Sequence, residues 1–438
     1  MGILGIRRET KSQWERRTPL IPEHVHELIK REGIEVVVES SERRVFTDEE
    51  YRKVGARIQA DLKDVPIIFG VKEIPVDLLE PGKVYVYFSH VIKGQPQNMA
   101  MLQRLLDLKC TLIDYEKVTD ANGKRLIAFG YFAGVAGMGE TLWALGQRWK
   151  ALGYETPLAR LQQPYRYPDL AALKKAVAEV GQEIQEKGLP EPLTPVIVGF
   201  TGSGNVFHGT QEVFSVLPFE DVDPGDIREV LSSPRNDRFY RVVFKKEHMV
   251  EPIDPTKTFS REEYYQHPER YRPIFERYVG DLTVLVNGIY WDERFPRYVT
   301  KAFARRLFET QENPRLTVVG DITCDVGGSI EFTVKATMPD QPVYVYDPLT
   351  DEIRDGVEGR GIVVMAVEIL PSELPKESSI FFSNQLRPFV PAIVRADYHK
   401  PYEALALPPE IHRAVIVHNG QLTPPYKYLS AFLKRSSS

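Results

Sequence analysis

Cysteine is almost missing from this chain. Its 438 residues include 2 cysteines, Cys110 and Cys324. Two thiols so far apart exclude a disulfide-stapled scaffold and a cysteine-rich metal site, and make a reducing, cytoplasmic setting the expectation. Long apolar runs are missing too. Val65-Pro66-Ile67-Ile68-Phe69 is typical of those present, far short of the ~20 residues that cross a bilayer. Met1 to Glu9 holds no apolar stretch followed by a cleavage site, and Glu9 comes too early for a transit peptide, so neither a leader nor a membrane segment is expected. Positive charge is not in surplus either. Lys and Arg total 56 against 61 Asp and Glu, a net charge of −5, which argues against a nucleic-acid partner. HExxH, a Walker A lysine loop and GxSxG do not occur, and the 9 histidines show no ligand-like pairing. His24 and His26, two apart, would not share a helix face. No metal is expected.

What is present is an ordinary globular composition, 42% hydrophobic and 27% charged, long enough for two or three domains at ~150 residues each. Short β-rich runs alternate with helical patterns. Ile3–Arg7, Glu35–Glu39, Val65–Gly70, Val84–Phe88 and Thr111–Tyr115 read as strands; Pro22–Arg31 and Asn98–Leu108 read as helices. Such alternation predicts an α/β fold with a parallel sheet covered on both faces. Ala128 to Gly139 is rich in small residues and reads as a crossing into a long helix, Glu140–Leu152, with a second helix over Asp169–Lys187. Strands are predicted at Pro195–Gly199, Thr283–Gly288 and Leu316–Asp321. Ser232–Tyr278, broken by five prolines, reads as an insertion. Val343–Tyr346 and Gly361–Ala366 are expected to rejoin the first lobe, and Ser436–Ser438 to fray. The expected architecture is two Rossmann-like, doubly wound parallel-sheet lobes with an interlobe cleft. Residues 1–134 and 330–438 form a discontinuous substrate-side lobe, and 135–329 a dinucleotide-binding lobe with an insertion at about 232–278.

The sharpest motif is the strand Val196–Gly199 running into Phe200-Thr201-Gly202-Ser203-Gly204-Asn205-Val206. Gly202 permits a tight turn, Gly204 lets the backbone approach a pyrophosphate, and the following helix points its N-terminus at the charge. The third glycine of the usual fingerprint would be residue 207, which is Phe207; the next glycine is Gly209. An acid about 20 residues on should hold the adenosine ribose. Glu220, Asp221, Asp223 and Asp226 crowd that stretch, and Asp223 is the choice. It favours NAD over NADP, unless an arginine such as Arg235 offsets it.

In the first lobe Lys72 and His90 end predicted strands, with Lys93 close by and Arg16-Arg17 ahead of a helix. Ligands of open parallel sheets bind at the carboxyl ends of strands, and Lys with His there suits carboxylate binding and proton transfer. Glu116 ends another strand. Asp321 and Asp325 flank a glycine-bearing strand end in the second lobe.

Several stretches together resemble one family: Arg7-Arg8-Glu9, Trp14-Glu15-Arg16-Arg17, Gly70-Val71-Lys72, Phe88-Ser89-His90, Asp114-Tyr115-Glu116-Lys117, Ala133-Gly134-Val135-Ala136-Gly137, Asn287-Gly288-Ile289-Tyr290-Trp291 and the run Asp321 to Phe332. The chain resembles, over nearly its whole length, the lysine–ketoglutarate reductase half of the bifunctional α-aminoadipic semialdehyde synthase. More distantly it is similar to the lysine-forming saccharopine dehydrogenase of fungi and to alanine dehydrogenase. The resemblance implies an oxidoreductase of lysine degradation, joining L-lysine to 2-oxoglutarate and reducing the imine to saccharopine. NADPH is the implied cofactor, with NADH open. A separate glutamate-forming saccharopine dehydrogenase is an implied partner. Lys72 and His90 fall on the family's catalytic pair, with neither assigned to a particular intermediate. Arg17 and Arg125 match its substrate-side arginines, with Glu116, Lys93 and Glu73 beside the substrate. Gly202, Ser203, Gly204, Asn205, Val206, Asp223, Asn287, Gly288, Ile289, Tyr290, Asp321 and Asp325 are the implied cofactor residues. Two alternatives stand beside this: an amino-acid dehydrogenase of alanine or opine type, and a non-catalytic dinucleotide-binding regulatory module.

Overall fold

Runs of valine, isoleucine and tyrosine between turns build two separate eight-stranded sheets. The computed structural model describes residues 2–433; Ser436–Ser438 lie outside them. The chain divides into one unit of Met1–Phe129 with Pro375–Ser438 and another of Gly130–Leu374.

In the first unit, β1 (Ile3–Ile6), β2 (Glu35–Glu39), β3 (Arg57–Gln59), β4 (Ile67–Phe69), β5 (Val84–Tyr87) and β6 (Thr111–Asp114) run parallel. Their order is β6-β5-β4-β1-β2-β3, and the antiparallel strands Val415–His418 and Gln421–Leu422 extend the β6 edge. Strands such as Val84–Tyr87 and Val36–Val38 are buried throughout, as parallel strands covered on both faces must be. Helix α1 (Pro22–Glu32) begins on a proline and ends at Gly33, whose φ of 64° lets its N–H close on the Leu28 carbonyl. A Thr47–Glu50 capping box starts α2 (Asp48–Lys53). Helix α3 (Pro96–Asp107) leads into β6.

The second unit holds α4 (Gly130–Ala151), α5 (Leu170–Lys187), β7 (Val196–Thr201), α6 (Asn205–Phe214), β8 (Phe219–Asp221), β9 (Phe239–Phe244), β10 (Val250–Pro252), β11 (Tyr271–Pro273), β12 (Val284–Asn287), β13 (Val318–Asp321), β14 (Val343–Asp347), β15 (Glu352–Asp355) and β16 (Ile362–Met365). Its sheet runs β15-β14-β16-β13-β12-β7-β9-β8, and β10 and β11 form a small antiparallel pair apart.

Three expectations change. Val343–Tyr346 and Gly361–Ala366 do not rejoin the first unit: β16 pairs with β13 and β14 with β16, so the chain returns at Pro375 and not near 330. Ser232–Tyr278 is not simply an insertion, because it contributes β9, an inner strand between β7 and β8. The small-residue run is not a crossing but the first turns of α4. Its glycines are needed there. A Cβ on Gly134 would stand 2.0 Å from the Val206 carbonyl oxygen, and one on Gly209 would stand 1.9 Å from that of Tyr131, so α4 and α6 meet backbone to backbone. Gly209 thus makes room for a close helix–helix contact, whereas the fingerprint's third glycine serves close helix–strand packing. Phe207 packs edge-on against Phe200 instead.

Two carboxyls are buried together in this unit: Glu140 on α4 and Glu373. Gln163 Nε2 donates to Glu140 Oε1 at 3.2 Å, and the Glu140 and Glu373 carboxyls hydrogen-bond to each other. Burial pushes Glu140 up to about 7, against the hydrogen bonds of Glu373 and Gln163 and the more weakly acting Arg166 charge. Burial and the Glu140 charge push Glu373 well above the carboxylate range. The folded chain thus holds protons that the unfolded chain releases above about 4.5. Stability from the pair is full in acid and falls as pH rises from there through about 7. Glu373→Gln, which no longer titrates, is expected to raise the melting temperature at pH 8, and to do so less at pH 5. An equal shift at both pH values would show that ionisation is not the cause.

Candidate active site

The carboxyl ends of β1, β4, β5 and β6 all lie at one edge of the first sheet. From them emerge Arg7 to Glu9, Gly70 to Glu73, Phe88 to His90 and Tyr115-Glu116. Glu73 is the centre of the cluster. Its Oε1 meets His90 Nδ1 at 2.6 Å, and Lys11 Nζ donates to both its oxygens at 3.0 Å. Burial opposes its charge, but His90 and Lys11 more than offset that, holding the carboxyl down at about 2. His90 has φ 51°, an uncommon left-handed conformation. Its ring stacks on Phe88 at 6.1 Å, and Asn98 Nδ2 donates to its carbonyl at 2.9 Å.

Lys72 keeps some exposure, yet protein crowds its ammonium. That desolvation, with the Arg17 and Lys11 charges, pushes its pKa down, and Glu73 and Glu15 only partly oppose it. Among the described residues none accepts a hydrogen bond from Lys72 Nζ. Arg17 is buried, its Nε donating to Glu15 Oε1 at 2.8 Å and its Nη2 to Glu15 Oε2, with its Cζ 4.1 Å from the Phe129 ring centre. Burial opposes the Glu15 charge, and Arg17 and Lys72 overcome it, so that carboxyl sits below its usual range.

Two of these residues went unassigned in the sequence reading. Glu9 is buried and accepts the N–H groups of Val71 at 2.7 Å and Lys72 at 3.1 Å; it fixes the backbone that carries Lys72. Burial raises its pKa more than Arg7 lowers it. Glu15 holds the Arg17 fork. The signal for both was an acid beside arginines at a strand end and before a helix. Asp114 under the site takes the Ser89 hydroxyl, the Ser89 N–H at 3.2 Å and the Glu116 N–H at 2.8 Å. Burial still pushes it up to about 6. Arg125 pairs with Glu116 beside this group. Lys93 is exposed on the Val91–Gly94 turn, outside the Glu73 network.

The second sheet brings the β7–α6 turn to its own carboxyl edge. Gly202 has φ 88°. Ser203, Gly204 and Asn205 are exposed, Val206 is half-buried, and a Cβ on Gly204 would meet nothing within 4 Å. No side chain caps α6, so its first N–H groups are open to an anion. This geometry fits a dinucleotide pyrophosphate. Asn287 and Asp321, by contrast, face inward. Thr201 Oγ1 donates to Asn287 Oδ1 at 2.7 Å, Asn287 Nδ2 donates to Asp321 Oδ1 at 2.9 Å and Ser329 Oγ at 2.8 Å, and Thr333 Oγ1 donates to Asp321 Oδ2 at 2.6 Å. Their side chains tie the ends of β7, β12 and β13 together. Gly288 donates its N–H to Thr201 Oγ1 at 3.3 Å, Ile289 is buried, Tyr290 is exposed, and Asp325 is half-buried in the turn after β13. Asp223 follows β8 at the sheet's edge, one strand beyond β9, and is not placed beside the glycine turn. Arg235 pairs with Asp237 ahead of β9, at the opposite end of that strand from the turn.

Two mostly parallel sheets of this kind, one with a glycine turn opening a helix, define an α/β dinucleotide-binding oxidoreductase fold. The "Alanine dehydrogenase/PNT, N-terminal domain" family matches residues 5–136 and the "Alanine dehydrogenase/PNT, C-terminal domain" family residues 314–425. A solved L-alanine dehydrogenase is similar over 98% of this chain and 99% of its own, with a TM-score of 0.63 and 18% identity, which speaks to the fold alone. The chain is 40% identical to the alpha-aminoadipic semialdehyde synthase of Arabidopsis thaliana over 99% of its own length and 42% of that protein; it spans less than half of that relative. It is 30% identical to the saccharopine dehydrogenase [NAD(+), L-lysine-forming] of Emericella nidulans, over 88% of this chain and 90% of that protein. The chain belongs to the L-lysine-forming saccharopine dehydrogenase family, and is an oxidoreductase of that family. Among the described residues no helix is long and apolar enough to cross a membrane.

Proposed function

We propose that this protein is an NAD(P)H-dependent lysine–ketoglutarate reductase, which condenses L-lysine with 2-oxoglutarate and reduces the imine to saccharopine. The observation that carries the proposal is the Lys72–Glu73–His90 cluster at the strand ends of the first unit, with Arg17 from the loop ahead of α1, in a chain of this family. Both cysteines are free, as suits a reducing compartment.

The substrate amine must be neutral to attack the ketone. Lys72 Nζ, with its depressed pKa, takes the proton from the incoming ε-ammonium. Glu73, anionic at any working pH, accepts the Nδ1–H of His90 and so leaves the Nε2 lone pair as a base, which takes the proton that the substrate nitrogen sheds on attack and returns it to the departing hydroxyl of the carbinolamine, while the Lys72 ammonium protonates the ketone oxygen. Arg17 contributes charge, and its uncommitted Nη1 can meet a substrate carboxylate. The dinucleotide, held at the β7–α6 turn, supplies the hydride that reduces the imine.

The test follows absorbance at 340 nm with lysine and 2-oxoglutarate, separately with NADPH and NADH, omitting each substrate in turn. Oxidation that requires both substrates is expected. Oxidation with pyruvate and ammonia but not with this pair would overturn the proposal. Gly204→Ala probes the turn. The open space around Gly204 predicts an unchanged melting temperature. The new methyl stands where a pyrophosphate approaches, so the dinucleotide Kd should rise about tenfold. An unaltered Kd by fluorescence titration would place the pyrophosphate elsewhere.

A further inference from the structure

A dinucleotide's adenosine ribose lies to one side of the glycine turn, over the end of the strand adjacent to the one carrying it. In most such folds that neighbour is the next strand in the chain. Here it is not. Strand β9 pairs with β7 along its whole length, from Val196↔Phe239 to Thr201↔Phe244, while β8 pairs only with the far edge of β9. Neighbouring strands are ~4.8 Å apart, so β8, with Asp223 after it, stands about two spacings from β7. The first residue beyond β9 is Lys245, level by this register with Gly202.

Lys245 is exposed, and its nearest acid is Glu247 at 3.9 Å, a loose surface contact. The other cations of this edge are committed. Lys246 turns inward, donating to the Tyr298 hydroxyl at 2.8 Å and lying over the Tyr264 and Phe295 rings. Arg241 forks onto Asp221 and reaches Gln211. An acid at the ribose position accepts a hydrogen bond from a 2′-hydroxyl and repels a 2′-phosphate; a free lysine does the reverse.

We infer that Lys245 recognises the 2′-phosphate of NADPH and makes it the preferred cofactor. The inference rests on the dinucleotide-dependent reductase reading above and names the cofactor form.

The test is equilibrium binding without substrates, read by fluorescence titration for NADPH and NADH, and by displacement with 2′,5′-ADP against 5′-AMP. Wild type is expected to bind NADPH and 2′,5′-ADP more tightly than NADH and 5′-AMP. One charge-assisted contact corresponds to a preference of about 10- to 100-fold. Lys245→Ala should abolish the preference and Lys245→Asp reverse it, with NADH binding within about threefold of wild type. The preference should also weaken with added salt. A preference that survives Lys245→Asp, or one that moves with Asp223→Asn instead, overturns the inference. Saccharopine formed equally well with both cofactors, unaltered by Lys245→Asp, overturns it and leaves the reductase reading intact. NADPH-selective binding lost in Lys245→Asp, with no turnover of lysine and 2-oxoglutarate, supports it and sinks the reductase reading.

Discussion

Lys72→Met is expected to lower kcat for saccharopine formation by about 10²- to 10⁴-fold, the range for loss of a positioned acid–base group. Methionine replaces the aliphatic stem of the side chain and removes a cation that its surroundings already disfavour, so the melting temperature should not fall. The dinucleotide Kd should stay within about twofold, since Gly202 and Gly204 belong to the other sheet. His90→Gln should show a loss of similar order. The double variant should lose little more than the worse single one, because groups that act as a unit are not additive. Steady-state kinetics with both substrates saturating decide the matter. A kcat within threefold of wild type for Lys72→Met would remove it from the chemistry.

Gly209→Ala is expected to destabilise the protein by about 3 kcal/mol, or to prevent its folding. The sign is the informative part. In a helix, alanine is better than glycine by roughly 1 kcal/mol, so the local effect favours the substitution. The new Cβ, however, would lie 1.9 Å from the Tyr131 carbonyl oxygen and 2.9 Å from the Val135 nitrogen. These are backbone atoms of α4, which cannot swing aside. Gly134→Ala should behave likewise, 2.0 Å from the Val206 carbonyl oxygen. Gly225→Ala, with nothing within 4 Å, is the neutral comparison. Urea midpoints measure all three, and a Gly209→Ala midpoint equal to wild type would show that the two helices can separate at little cost.

Much of the architecture was legible because parallel strands buried on both faces read as unbroken apolar runs. Val36–Val38, Ile67–Phe69 and Val84–Tyr87 are strands for that reason. Phe239–Phe244 was overlooked because Arg241 interrupts it and prolines surround it, although its place is inside the sheet. No local signal tells that it slips between β7 and β8; strand order is settled by long-range pairing. That one exchange leaves Asp223 one strand further from the glycine turn. The glycines of α4 misled in the same way, since a small-residue run suggests a loop until the helix that needs the space is known. In the candidate site, Lys72 and His90 were legible as charged residues ending strands, while Glu73 entered only through the family resemblance. Glu9 was not, because its work is done on backbone N–H groups 62 and 63 positions away. Asn287 and Asp321 were noticed as polar strand ends, but the sequence could not show that they bond to each other.

The first sheet is continued past β6 by the strand Val415–His418, which pairs with it, and Thr111 meets His418 across 307 positions of chain. On a ribosome adding ~5–20 residues per second, β6 is therefore made some 15–60 seconds before its partner exists. During that interval its edge is bare, while Gly130–Leu374, a continuous stretch, can already collapse around β7. Synthesis thus imposes an order of assembly in which the dinucleotide-binding unit comes first. The unit carrying Lys72 waits for the last part of the chain, with an unpaired strand that a chaperone could cover or a second nascent copy could capture.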